Sequence, residues 1–393
     1  MFSALTFLSI IRALMVPLSL WLMLGAAWAQ SVPCTGITLR PTDVASINST
    51  INSQPNGTTF CFESGTYNIT TAIQAKDGNK LICKTPRTCI VDGRNTISVG
   101  FMTAYSPAVE NIVRGFVVKN FTNSCMRLRV KGRAENNDVS NCEYGIDIAG
   151  SAVGNYIHHN RRYGISGGPA NGILIENNEI SFNNTSKYDP GWAAGGSKIV
   201  GSTAGSTVTW RGNKVHDNYG NGIWQDGNVK NSLIENNEVY NNYGVGIFQE
   251  LSWTAVIRNN TIYNNSLSTK NTGRSCWWGA QIELNDSQNT EIYGNTITAE
   301  YVNGICLVSS DRSETAPYPT SLANVKVYNN TIKMRGTVRT GVVGNQPATG
   351  ISFYGNSYYV NNLSGTFWSY MSDKTKPQWQ AAGQDTAGTF TAW

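Results

Sequence analysis

The chain has 393 residues, of which 14% are charged, with 30 Lys+Arg against 25 Asp+Glu. That length suits several domains or one long repeat array, and the abundance of Gly, Asn, Ser and Thr favours short strands and polar turns over helices. Arg12 is the only charge among residues 1–29, so the rest of the chain carries 29 basic and 25 acidic groups, a net +4. This mild excess without basic runs argues against nucleic acid or an anionic membrane as partner and is compatible with an acidic polysaccharide.

Residues 1–29 read as a secretory signal peptide, with Arg12 ahead of an apolar run from Ala13 to Gly25 and Ala27-Trp28-Ala29 as the cleavage site. An uncleaved anchor is the alternative, because residues 1–11 are also apolar. No later stretch is long and apolar enough to span a bilayer, so after cleavage the protein is expected to be secreted or periplasmic, without a membrane partner. All eight cysteines follow the signal, at positions 34, 61, 83, 89, 125, 142, 276 and 306. An even number in an exported chain predicts disulfides, with Cys83–Cys89, Cys125–Cys142 and Cys276–Cys306 as the expected pairs. The absence of C-x-x-C units and the presence of only three histidines argue against zinc.

Residues 30–110 are expected to form an N-terminal cap and the first coils. Pro41-Thr42-Asp43 followed by Val44, Ile47 and Ile51 predicts a short amphipathic capping helix over 40–53. Thr58 to Tyr67, Lys80 to Cys83 and Cys89 to Asp92 read as strands.

From 111 to 335 the sequence repeats. The unit is Asn-x-[Ile/Val]-x-x-Asn, as in Asn178-Glu179-Ile180-Ser181-Phe182-Asn183 and Asn237-Glu238-Val239-Tyr240-Asn241-Asn242. Its first asparagine falls at 137, 155, 178, 213, 237, 260, 295 and 330, which describes coils of about 18 to 24 residues with three insertions. Each coil holds three short strands, and none of them can bury its apolar face alone; stacking coils bury one another's Ile, Val and Leu. Stacked asparagine amides would hydrogen-bond from coil to coil, which explains the sequon-like Asn259-Asn260-Thr261 better than a glycan on an inward turn does.

With its asparagine ladders and Gly-Ile strands, the segment resembles the right-handed parallel β-helix proteins of the pectate-lyase-like superfamily. The resemblance implies an all-β solenoid, commonly exported, in a fold that hosts polysaccharide lyases, hydrolases, epimerases and non-catalytic binding proteins. Neither the Trp-Ile-Asp-His and Arg-x-Pro-x-x-Arg segments of pectate lyases nor the Asn-Thr-Asp, Gly-His-Gly and Arg-Ile-Lys set of polygalacturonases is present. No catalytic residue carries over from those families. Residues 336–393 are expected to supply the last coil and a C-terminal cap, with a last strand at Tyr358 to Asn361 and a short helix around Trp379. A monomer is expected.

Candidate site residues come from overlaying Gly222-Ile223-Trp224-Gln225-Asp226, Gly246-Ile247-Phe248-Gln249-Glu250 and Gly279-Ala280-Gln281-Ile282-Glu283, with Ala194-Gly195-Gly196-Ser197-Lys198 one coil earlier. In this frame Ile223, Ile247, Ala280 and Ile305 face inward. One outer column reads Lys198, Asp226, Glu250, Glu283, with neighbours roughly 5 Å apart, and the next reads Trp224, Phe248, Gln281. Three carboxylates in register suggest a catalytic group or a Ca²⁺ site formed by Asp226, Glu250 and Glu283; no other cofactor is expected. Paired acids would suit a glycoside hydrolase, and Lys198 as base beside bound Ca²⁺ would suit a uronate lyase. Trp224, Phe248, Gln281 and Trp192 would bind the sugar rings and hydroxyls. His216 is a candidate proton shuttle, and the insertion carrying Arg274, Trp277 and Trp278 a groove wall. The sequence thus points to a carbohydrate-active protein, a polysaccharide lyase or hydrolase, with a non-catalytic glycan-binding or structural rod as the alternative.

Overall fold

The computed structural model describes residues 33–393 except 106, 270–274, 311, 313, 314 and 316; the signal segment and Arg274 lie outside the described residues. From Thr59–Phe62 to Trp368–Tyr370 each coil contributes one strand to each of three sheets, which with the terminal strands have 13 strands each. The first sheet runs from Ile37–Leu39 to Ser352–Tyr354, the second from Gly65–Asn68 to Thr389–Ala392, and the third from Ile73–Gln74 to Asp373–Lys374. Pairing is parallel between successive coils, as in Ile223–Asp226 beside Ile247–Glu250; Trp368–Tyr370 with Asp373–Lys374 is antiparallel. The result is a right-handed parallel β-helix, its interior a continuous column of side chains including Ile157, Ile180, Val215, Val239, Ile262, Ile297 and Ile332, all buried.

Two ladders of buried amides run along the turns. In the first, Asn137, 155, 178, 213, 237, 260, 295 and 330 each donate a backbone and a side-chain N–H to the carboxamide oxygen of the next, and Asn330 donates likewise to Asn356. Asn160, 183, 218, 242 and 265 form the second in the same way. The asparagine doublets follow from the corner geometry. Asn177, Asn236 and Asn259 take the left-handed conformation, φ 53°, 56° and 55°, which Asn tolerates, and so turn the following asparagine inward.

Both ends are covered. The predicted N-terminal helix is a 3-10 turn, Pro41–Ser46, followed by the α-helix Ile47–Ser53, which buries Ile47 and Ile51 against the first coils. At the other end the last coil is longer than expected. Ser357–Val360 is followed by the strands Trp368–Tyr370 and Thr389–Ala392, and the helix Lys376–Ala381 places Trp379 in the core. Trp368 is fully buried as well, so the aromatic tail closes the solenoid. Disulfides join Cys83–Cys89, Cys125–Cys142 and Cys276–Cys306 as expected, and also Cys34–Cys61. Among the described residues no helix is long and apolar enough to cross a membrane.

Candidate functional site

The segments overlaid in the sequence lie side by side on the third sheet, two of them out of register. Asp226 pairs with Glu250 as expected, but Glu250 pairs with Asn285, and Glu283 stands level with Phe248. At the other end Val200 pairs with Asp226, which sets Lys198 level with Trp224. The expected column therefore divides. One row reads Lys198, Trp224, Phe248, Glu283, Cys306; the next reads Val200, Asp226, Glu250, Asn285, Val308.

The cause is the inward face. A Cβ on Gly246 would meet Asn265 Nδ2 at 2.8 Å, so glycine belongs where the strand passes the second ladder. One coil later that place is held by Gln281, not Gly279. Its Oε1 accepts from the backbone N–H and Nδ2 of Asn265, at 3.2 and 2.8 Å, and it completes the ladder. Gln281 is consequently internal and not a sugar-binding residue. Ile282 takes the inward place expected for Ala280, which instead packs outside the barrel with Cys276, Cys306 and Val308.

A slip of two residues leaves Lys198, Asp226, Glu250 and Glu283 on their expected face, so the four charged residues still share the outer surface. Lys198 Nζ pairs with Asp226 Oδ2 at 2.9 Å, donates to the Trp192 carbonyl at 2.9 Å and lies 3.5 Å from the centre of the Trp224 ring. Glu250 accepts from Trp224 Nε1 at 3.0 Å and pairs through its other oxygen with Arg312. Burial first, and then the charge of Asp226, raises the Glu250 pKa, while Arg312 opposes the rise. The side chains of Lys198 and Asp226 are 10% and 21% exposed and that of Glu250 is 5% exposed, so Asp226 is the carboxylate most open to solvent.

Glu283 belongs to a different environment. It is fully buried, and neither oxygen meets a hydrogen-bond partner at full geometry. Burial, then Glu250, pushes its pKa well up, and the nearby amides of Trp278 and Gly279 offset only part of this. Trp278 lies edge-on over Trp224 and Phe248, at 5.5 and 4.9 Å between ring centres, and leaves the pair 1% and 0% exposed. These aromatics are thus the base of a local apolar cluster and offer no free ring face to a sugar. The expected Ca²⁺ site does not fit either: Glu283 is fully buried, level with Phe248 instead of Glu250, and among the described residues no three His, Cys, Asp or Glu side chains are grouped to hold a metal.

His216 is not part of this group. It ends the strand Lys214–His216 of the second sheet, stacked on Tyr240 at 4.7 Å, with Nδ1 2.7 Å from Asp217 and Nε2 3.4 Å from Glu179. The turn between Asp217 and Gly222 carries the chain round to the third sheet, so residues close in sequence face different sides of the solenoid. Trp192 does reach the site: it is 74% exposed, with its ring 5.4 Å from Lys198 Nζ. Its loop is held by Asn184 Nδ2, which donates to the carbonyls of Tyr188 and Tyr219.

Two residues of the group escaped the sequence reading, Arg312 and Tyr318. Both lie in the insertion after the strand Asn303–Ser309, which is tied back by Trp253 Nε1 donating to the Pro317 carbonyl at 2.9 Å. Tyr318 lies against Gly227, next to Asp226; a Cβ there would be 3.3 Å from its ring. The one signal was the gap of 35 residues between Asn295 and Asn330, which marks an insertion but does not show where it folds. The assembled group is a row of cation, two carboxyls and cation, Lys198–Asp226–Glu250–Arg312, between the Trp192 loop and the Tyr318 loop. It can bind a carboxylate at either cation and hold or release a proton at the acids between them.

No curated protein matches this sequence. Among solved structures, the A-module of mannuronan C-5 epimerase AlgE6 from Azotobacter vinelandii is similar over 89% of this chain and 98% of its own, with TM-score 0.66 and 16% identity. A mannuronic acid specific polysaccharide family 6 lyase from human gut microbiota is similar over 91% of this chain and 90% of its own, with TM-score 0.61 and 14% identity. The Dettilon tailspike protein is similar over 90% of this chain and 68% of its own, with TM-score 0.51 and 15% identity. At these identities the likeness is one of fold. The family model for the right handed beta helix region matches residues 111–273 and 151–332, together more than half of the sequence, and the chain belongs to that family.

Proposed function

We propose that the protein is an exported enzyme that cleaves a uronate-containing polysaccharide by β-elimination at the Lys198–Asp226–Glu250–Arg312 row. The observation that carries this reading is the pair of carboxyls on adjacent strands with a cation at each end, because elimination from a uronate needs a neutralised carboxylate, a base and an acid together. The four disulfides accord with an oxidising compartment. Similarity to solved structures named as a mannuronan epimerase and a mannuronic acid specific lyase supports the substrate class.

In the proposed step Lys198 and Arg312 bind the uronate carboxylate and stabilise the enolate. Asp226, the most open of the acids, removes the proton at C5; the electron pair forms the C4–C5 double bond as the C4–O bond breaks. The leaving oxygen takes its proton from Glu250, whose pKa burial and the Asp226 charge raise, and exchange with water restores both acids. Lys198 serves as the cation here rather than the base expected from the sequence, since its contacts with Asp226, the Trp192 carbonyl and the Trp224 face are those of an ammonium.

A second reading, a retaining hydrolase, draws on the same two acids: side chains on adjacent strands stand near the ~5 Å carboxyl separation of that mechanism. The test is to incubate the protein with polymannuronate, polyguluronate, polygalacturonate and neutral glucans, following ultraviolet absorbance from unsaturated ends and, separately, new reducing ends. Elimination gives both signals and hydrolysis only the second. Glu250→Gln is expected to lower kcat by about 10²-fold or more, the usual scale for a general acid. Full activity in that variant refutes the proposed site, and no product from any polymer favours a non-catalytic glycan-binding protein.

A further inference from the structure

Beyond Arg312 the outer face of the third sheet opens into a cavity of about 410 Å³, lined by Trp277, Ser310, Arg312, Gly344 and Asn345. It lies toward the C-terminal coils, next to Glu250 through the Arg312 ion pair, and of its lining residues only Arg312 takes part in the reaction proposed above. We infer that this cavity is a binding subsite for one acidic sugar unit flanking the reaction centre, with Trp277 as the ring platform and Arg312, shared with the reaction centre, as the carboxylate contact. The inference rests on the uronate reading for the reaction and on its own geometry for the subsite.

The lining has the makings of such a site. Trp277 is 40% exposed, whereas its neighbour Trp278 is spent on covering Trp224 and Phe248, so the two tryptophans of one loop have separate tasks. The platform is anchored: the adjacent Cys276 is bonded to Cys306 on the sheet, and Asn303 Nδ2 donates to the Ser275 carbonyl at 2.7 Å. An aromatic face held in place before binding loses little conformational freedom when a sugar stacks on it.

The floor is bare backbone. Gly344 has φ 132°, and a Cβ there would meet the Ser309 carbonyl at 1.8 Å, so no side chain can fill the space. The Arg312 side chain is 31% exposed; it contacts Glu250 and also lines the cavity, which gives the space a positive wall. Asn345, exposed at the rim, supplies a polar group suited to a hydroxyl. Aromatic platform, cation and amide together match an acidic monosaccharide unit better than a neutral or purely apolar ligand.

The test is calorimetric titration of the full protein with mannuronate and guluronate trisaccharides and with a neutral glucose trisaccharide. Wild type is expected to bind an acidic trisaccharide more tightly than the neutral one. Trp277→Ala should weaken that binding about tenfold, the equivalent of one aromatic stacking contact of ~1.4 kcal/mol. Trp277→Phe should restore most of it, and Lys326→Ala on the first sheet should leave it unchanged. On polymer, Trp277→Ala should raise KM with kcat retained.

Binding by Trp277→Ala within twofold of wild type, or equal affinity for acidic and neutral trisaccharides, overturns the subsite even where the lyase assay succeeds. Failure of wild type to bind any acidic trisaccharide overturns it too. Tight, Trp277-dependent binding without product from any polymer sustains the subsite and sinks the elimination reading alone.

Discussion

The Lys198–Asp226 pair offers the sharpest test of whether the row is an internal working group or ordinary surface charge. At 2.9 Å the gross attraction is about 1.4 kcal/mol at the dielectric constant of water and about 6 kcal/mol at an effective value near 20. Both side chains are less than a quarter exposed, at 10% and 21%, so the pair lies between those limits, and part of the attraction is offset by desolvation. Asp226→Asn leaves the ammonium under the Trp192 loop with a carbonyl and an indole face as its remaining contacts, and is expected to cost about 2–3 kcal/mol. Lys198→Met leaves an aspartate that water can reach and should cost about 1–2 kcal/mol. The double variant should resemble Lys198→Met, which gives a coupling energy of about 2–3 kcal/mol. Urea unfolding of the four proteins, followed by tryptophan fluorescence, measures it. A coupling below about 0.5 kcal/mol is the range of an exposed ion pair and would refute the reasoning.

Other outcomes follow from the same geometry. The folded-state pKa of Glu283 is raised, so the folded protein holds that proton more tightly than the unfolded chain. Its contribution is fully present below the unfolded value of about 4.3 and is lost as pH rises through the folded value. Glu283→Met should therefore melt progressively higher than wild type between acid and neutral pH, and a constant difference would count against the assignment. Asn218→Ala removes an oxygen that accepts from Asn183 N–H and Nδ2 and an amide that donates to the Ile180 carbonyl and Asn242. Leaving these buried groups short of partners should cost about 3–5 kcal/mol in denaturant unfolding, against about 0.5 kcal/mol or less for Asn52→Ala on the exposed capping helix. Reduction of Cys276–Cys306 should weaken acidic trisaccharide binding while leaving the Lys198–Asp226 coupling intact; unchanged binding would show that the loop holds Trp277 without the bridge.

The solenoid was legible in the sequence because its cause is periodic and local. An inward Ile or Val, a corner asparagine or glycine in the left-handed conformation and an asparagine facing the ladder recur from coil to coil, so each repeat states the same requirement. The capping helix was legible from its amphipathic spacing; three of the four disulfide pairs were anticipated, although the missed Cys34–Cys61, 27 residues apart, is closer in sequence than Cys276–Cys306, 30 apart, so separation alone does not choose the pairs. The face of the candidate site was legible too, since strand alternation survives a shift of two residues.

What the sequence could not decide was which residues lie opposite one another across insertions. Gly279 resembles Gly246, but the ladder amide of Asn265 selects Gln281, and that register moves Glu283 out of the acidic row and level with Phe248. Arg312 comes to Glu250 from 62 residues away, along an insertion that carries no repeat signal. Sequence alone determined the coil, its ladders and the outward direction of Lys198, Asp226 and Glu250. Tertiary structure alone decided the register, the burial of Trp224 and Phe248, and the arrival of Arg312. The physical reason is that coil periodicity is written into each repeat, whereas register across a loop is chosen by which inward side chains and buried amides find partners when the coils stack.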